Sequence, residues 1–150
     1  MLSETTQSKV PISMKLDRAA AHVILEKVVT DANALGRPVC VAVTDERGAL
    51  LAFTRMDGAP VRSIKLSEAK AYSAARLGVS TAAFHSRLTH DGMPASYFAD
   101  PTLTGLPGGA VISSQSGVTL GGVGISGLAP AEDQQLADAA AAAHGMRSDQ

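Results

Sequence analysis

Apolar side chains return at steps of three and four along the first third of the chain, at Leu16, Ala20, Val23, Ile24, Val28 and Leu35. That spacing predicts an amphipathic helix with Ser13 as its N-cap, Gly36 as its stop and Pro38 just beyond. His22 falls opposite the stripe, beside Arg18, Leu25, Glu26 and Val29, so Leu25 and Val29 are expected on an outward face that favours contact with another copy. The period then changes to two. Val39, Val41 and Val43 alternate with smaller residues, Asp45-Glu46-Arg47-Gly48 reads as a turn, and residues 49–54 resume the strand pattern, which together make a β-hairpin.

A second helix is expected from about Val61 to Leu77, where Ile64, Ser67, Ala71, Ala74 and Ala75 form a stripe of small residues and Gly78 supplies the stop. Side chains this small let a helix lie close to a sheet. Ser80 to Leu88 reads as a short third helix, residues 89–109 as a long irregular connection, and residues 110–113 and 118–126 as a second hairpin around Ser114-Gln115-Ser116-Gly117. Pro130 opens a last helix whose first turn carries Glu132 and Asp133. The order α-β-β-α-α-β-β-α contains two hairpins and no regular β-α-β alternation. It predicts an α+β fold with a mainly antiparallel sheet of four or five strands flanked by helices.

Composition narrows the function classes. The 150 residues suit one domain, expected over 13–150 behind a flexible arm at 1–12. A net charge of −1 with no basic stripe argues against nucleic acid as a partner. No apolar run reaches the length needed to span a bilayer, and the first residues lack the features of a secretory signal, so no membrane partner and a cytoplasmic location are expected. Cys40 is the single cysteine, which excludes an intramolecular disulfide or a multi-thiolate metal site. It sits in an apolar strand, where a thiolate is disfavoured.

Lys70 stands beside Leu66, Ala74 and Leu77 rather than among charges. A partly buried ammonium either snorkels to the surface, binds a carboxylate, or acts as a base with a lowered pKa. Arg55 and Asp57 close the first hairpin just ahead of this helix, so the three are expected to converge near its N-terminal half, although Arg55 with Asp57 also reads as a plain turn pair. His85 and His90, five residues apart, fail the one-face geometry of a two-histidine metal site, which leaves each as a surface histidine, a single ligand or a general acid/base. His22 reads as a surface residue beside Glu26 or as an intersubunit ligand, and His144 as a complement to the last helix's dipole. The glycines of Gly121-Gly122-Val123-Gly124 lie within a strand and favour close packing over nucleotide binding.

Five segments in order carry a resemblance: Pro38 to Gly48, Arg55-Met56-Asp57-Gly58-Ala59, Lys70-Ala71, Leu106-Pro107-Gly108-Gly109, and Gly124-Ile125-Ser126-Gly127 followed by Asp133. From about residue 13 to 145 the chain resembles the GlcG/HbpS-like haem-binding family, related to the PduO C-terminal domain. The resemblance implies a profilin-like fold, assembly into homo-oligomers that are often octamers, and haem as a cofactor, with some members taking part in haem degradation and many encoded in catabolic operons. On the haem reading Arg55, Lys70, Gly108, Gly109 and Ser126 are the expected ligand-binding residues, with Arg55 or Lys70 pairing with a propionate, and a His or Met ligates the iron, His22 or His85 being the nominated histidines. A second reading is an enzyme acting on a small carboxylated, aromatic-derived substrate, with Lys70 and Arg55 holding the carboxylate and His85, His90 or Asp57 moving a proton. A third is an oligomeric accessory protein without chemistry of its own.

Overall fold

The computed structural model describes residues 15–147; Ser13 and the expected arm at 1–12 lie outside them. Helix α1 spans Arg18–Leu35; its N-cap is Asp17 rather than the expected Ser13, the carboxylate accepting from the Ala20 N–H at 2.8 Å, and Gly36 closes it in the left-handed conformation. Strands β1 (Cys40–Asp45) and β2 (Leu50–Arg55) form the first hairpin, in which Asp45 Oδ1 accepts from the N–H groups of Arg47 and Ala49. Helices α2 (Arg62–Leu77) and α3 (Thr81–Asp91) follow, the second capped by Ser80 and ended by Gly92. A 3₁₀ turn (Ala95–Phe98), strands β3 (Gly109–Ser113) and β4 (Thr119–Ser126), and helix α4 (Pro130–Arg147) complete the chain.

The four strands form one antiparallel sheet in the order β2-β1-β4-β3, and the element order matches the one expected. The register pairs Val41 with Ile125 and Val43 with Val123, and these side chains pack with Ile24, Leu25, Val28, Leu136 and Ala137 of α1 and α4. Each fully buried Val, Leu or Ile there contributes roughly 1.5–3 kcal/mol. The opposite face presents Ala42, Thr44, Gly122 and Gly124. Here α2 lies directly on the sheet: a Cβ on Gly122 would overlap the Ala71 carbonyl, and one on Gly124 the Ser67 carbonyl. The strand glycines are packing residues, as their position implied. Among the described residues no helix is long and apolar enough to cross a membrane.

Three expectations are corrected. Leu25 is 3% exposed and Val29 half-buried in the core, whereas Val23, placed on the buried stripe, is 39% exposed. The buried face of α1 runs through Ala21, Ile24, Leu25, Val28 and Ala32, because two alanines mark the seam and carry a weak hydrophobic signal. The argument from Leu25 for an outward interface therefore falls. Helix α3 continues one turn past Leu88, and the stretch at 89–109 contains the 3₁₀ turn.

Candidate functional site

The nominated residues do not converge; the fold sends them to separate places. Lys70 is 1% exposed, which excludes snorkelling, and its ammonium donates to the Ile125 carbonyl at 2.8 Å and to Asp133 Oδ2 at 3.2 Å. Asp133 Oδ1 accepts from the Leu128 N–H at the start of α4. Burial pushes the Lys70 pKa down and the Asp133 pKa up, while each partner's charge pulls the other back toward its ionised form. The carboxylate that Lys70 binds is thus the chain's own.

Gly108 and Gly109 belong to the same buried node. The Gly108 N–H donates to Gln134 Oε1 at 2.7 Å, the Gly109 N–H to Thr81 Oγ1 at 2.8 Å, and Gln134 Nε2 donates to the Gly109 carbonyl at 2.9 Å. Gly108 has φ +136, and a Cβ on it would lie 2.7 Å from the Lys70 ammonium, so only glycine fits. Ser126 is buried under α2, where its hydroxyl donates to Ser63 Oγ at 3.1 Å. Among the described residues no buried side-chain nitrogen or oxygen lacks a partner. The node is chemically closed, and it fixes the loop at 106–109 against α2, α3 and α4.

Outside it runs a groove of about 500 Å³ between α3 and α4, floored by Leu106 and Pro107 and walled by Pro130 and Ala131. His85 and Asp138 line it. Gln134 joins the groove to the node, donating from Nε2 to Asp138 Oδ1 at 2.9 Å as well as to Gly109. An apolar wall with a few polar groups is the usual make-up of a small-molecule site. His90, on the same helix, is 88% exposed and pairs with Asp91. His22 is 65% exposed and 3.7 Å from Glu26, as its helical position implied.

Arg55 and Asp57 lie at the other side of the sheet. Arg55 ends β2, an edge strand two positions from β4, so about 10 Å of sheet separates it from the strand that Lys70 reaches. Its Nε donates to the Ala59 carbonyl at 3.1 Å, and it lines a groove of about 550 Å³ with Arg37, Asn33, Met56 and Asp57. The Arg55–Asp57–Lys70 convergence is therefore not formed. Cys40, paired with Arg55 across the strands, has its thiol pKa raised chiefly by burial, with Arg55 opposing. Among the described residues no three His, Cys, Asp or Glu side chains group to hold a metal ion.

Sequence reasoning missed Thr81 and Gln134 as the residues that hold Gly108 and Gly109. Asp133 carried a signal, a carboxylate in a helix's first turn, but the helix dipole accounts for that equally well. Nothing local pairs it with a lysine 63 residues away.

Comparison with known proteins agrees with this architecture. A family model described as a haem-degrading, HbpS-like protein matches residues 16–142. A double mutant of Streptomyces reticuli HbpS aligns with a TM-score of 0.79 and 28% identity, covering 95% of this chain and 96% of that one. The PduOC:haem complex aligns with a TM-score of 0.73 and 27% identity, over 81% of this chain and 89% of that one. Corrinoid adenosyltransferase PduO of Citrobacter freundii is 29% identical over 143 residues, which are 92% of this chain and 42% of PduO. The chain thus spans about two fifths of that relative's length.

Proposed function

We propose, because this chain belongs to the HbpS-like family, that it binds haem or a related tetrapyrrole and, in the finer form of the reading, takes part in haem degradation. The observation that carries the proposal is the likeness to the PduOC:haem complex over four fifths of the chain. The residues present meet the basic need of such a ligand, an imidazole beside apolar surface. His85 lines the groove formed by Leu106, Pro107, Pro130 and Ala131. His22 stands on an open helix face. Bound haem would supply a redox-active iron whose behaviour the axial ligand and the surrounding polarity tune. Gln134 holds the groove floor in place, and Asp138 adds a carboxylate to its wall.

The two imidazoles predict different stoichiometries. A groove within one subunit takes one haem per chain, whereas an open helix face encloses a haem only between two copies. Hemin titration followed at the Soret band, with His22→Ala, His85→Ala and His90→Ala beside the parent, separates them. Saturation at one haem per chain, lost in His85→Ala, assigns the groove; saturation at one haem per two chains, lost in His22→Ala, assigns the α1 face. His90→Ala should change neither. A non-saturating response would overturn haem binding, and a Soret band stable to reductant and dioxygen would overturn the degradation reading.

A further inference from the structure

We infer that the groove between α3 and α4 is a receptor for a primary ammonium on a compact apolar body, with the Asp138 carboxylate as its counterion. The inference does not rest on haem binding, whose candidate ligands are the His85 and His22 imidazoles. The Gln134 amide places the Asp138 head. Its Oε1 accepts from the Gly108 N–H at 2.7 Å, a group that can only donate, so the amide has one possible orientation. Nε2 then holds two N–H groups, one given to the Gly109 carbonyl and the other to Asp138 Oδ1, each at 2.9 Å. The carboxylate is therefore seated on the amide that closes the buried node, on the face of α4 where Ala131, Gln134 and Asp138 recur at steps of three and four. Asp138 makes no ion pair, and its Oδ2 meets no protein donor, among the described residues.

The surroundings select the ligand's charge, head and body. Among the described residues no lysine or arginine lines this groove, and His85 is the other titratable group in its wall. A neutral imidazole accepts an N–H bond as the free carboxylate oxygen does. The positive end of the α4 dipole is already met by Glu132 and Asp133 in the first turn, and it lies about 12 Å along the axis from Asp138. An open carboxylate beside apolar surface gains most from a cation. A guanidinium fork would find Oδ1 already engaged by Gln134, whereas an ammonium needs one oxygen. No aromatic ring lines the groove, so a quaternary ammonium has no cage to enter. Ala82, Leu106 and Pro107 supply apolar surface in a volume of about 500 Å³. The ligand class is therefore a primary amine in its ammonium form.

Calorimetric titration of the full chain with benzylamine and with butylamine at neutral pH tests the site. Benzyl alcohol, benzoate and benzyltrimethylammonium serve as controls for charge, for its sign and for the N–H donors. Saturable binding of at least one amine is expected, tighter than that of every control. Asp138→Asn keeps an oxygen for the Gln134 amide and removes the charge, so affinity should fall about tenfold or more, as loss of a charged hydrogen-bond partner implies. Ala82→Leu fills the groove from α3 and should weaken the same amine while leaving the carboxylate in place, which keeps the test decisive if Asp138→Asn fails to fold. Saturation by neither amine, a control that binds as tightly, or an amine affinity unchanged in either variant would overturn the proposal. Hemin that saturates through His85 should still bind Asp138→Asn; loss of hemin and amine together would mean that the substitution disturbs the groove rather than its charge, and would overturn the role given to Asp138. A parent protein that takes up amine but not hemin overturns the haem reading and supports this one.

Discussion

The two sides of the sheet handle polar side chains in opposite ways. Around β3, β4 and the start of α4, Lys70, Asp133, Gln134 and Thr81 satisfy one another and the backbone of Gly108 and Gly109. Around the end of β2 and the end of α1, Arg55 and Arg37 are exposed and make few contacts, one to the Ala59 carbonyl and one to Glu132. The motifs that carry the family resemblance contribute to both sides. Residue type therefore does not separate an architectural charge from a receptive one; what separates them is whether the fold supplies every donor with an acceptor. By that criterion Lys70 belongs to the architecture, whereas Arg55 keeps donors that no protein acceptor among the described residues takes up.

The largest expected effect breaks the closed side. Lys70→Met leaves the Asp133 carboxylate buried without its cation and should cost about 3–5 kcal/mol in urea unfolding. Adding Asp133→Asn removes that charge while keeping an acceptor for the Leu128 N–H, and should recover roughly half of the loss. On the open side Arg37→Gln should change stability by less than about 0.5 kcal/mol. Equal losses on the two sides would dissolve the distinction.

Glycine substitutions sharpen the same contrast at a smaller scale. Gly124→Ala sets a methyl against the Ser67 carbonyl and the Ala71 N–H of α2, backbone atoms that cannot step aside, and should cost about 3 kcal/mol. Gly36→Ala, at the exposed end of α1, meets nothing within 4 Å. Only the left-handed backbone, φ +66, opposes it, at about 1 kcal/mol. Thermal melts of the two variants should differ clearly, and a loss for Gly36→Ala as large as that for Gly124→Ala would mean that this end of α1 is tightly packed rather than open.

The same contrast explains what the sequence reveals. The first hairpin is legible because Asp45-Glu46-Arg47-Gly48 is local turn chemistry, and the close seat of α2 is legible because Ser67, Ala71 and Ala74 are small. The phase of α1 is not, since the exposed Val23 and Leu35 are as apolar as the buried Ile24, Leu25 and Val28, and Ala21 and Ala32 give little signal. The node is illegible for a different reason: it joins α2, α3, the 106–109 loop and α4, and long-range partners leave no periodicity. Lys70 was recognisable as a lysine in need of a partner, but only the fold identifies the partner as internal.

Between the closed node and the open side stands a tie of intermediate kind, and its test is the smallest in expected effect. The Tyr72 hydroxyl donates to Asp100 Oδ2 at 2.7 Å, fastening the 100–104 loop to α2. That bond is the first cause of a depressed Asp100 pKa and of a raised Tyr72 pKa. A carboxylate whose folded pKa is depressed contributes stability that is present above its ordinary value of 3.8 and is lost as pH falls through the depressed one. Tyr72→Phe keeps the ring and removes the bond. In a carbon-detected NMR titration the Asp100 midpoint should rise toward 3.8, and the stability gap between parent and variant should be present at neutral pH and close in acid. A gap of the same size at both pH values would assign the loss to the vacated hydroxyl site rather than to the Asp100 charge, and the loop would then count with the packed side of the molecule.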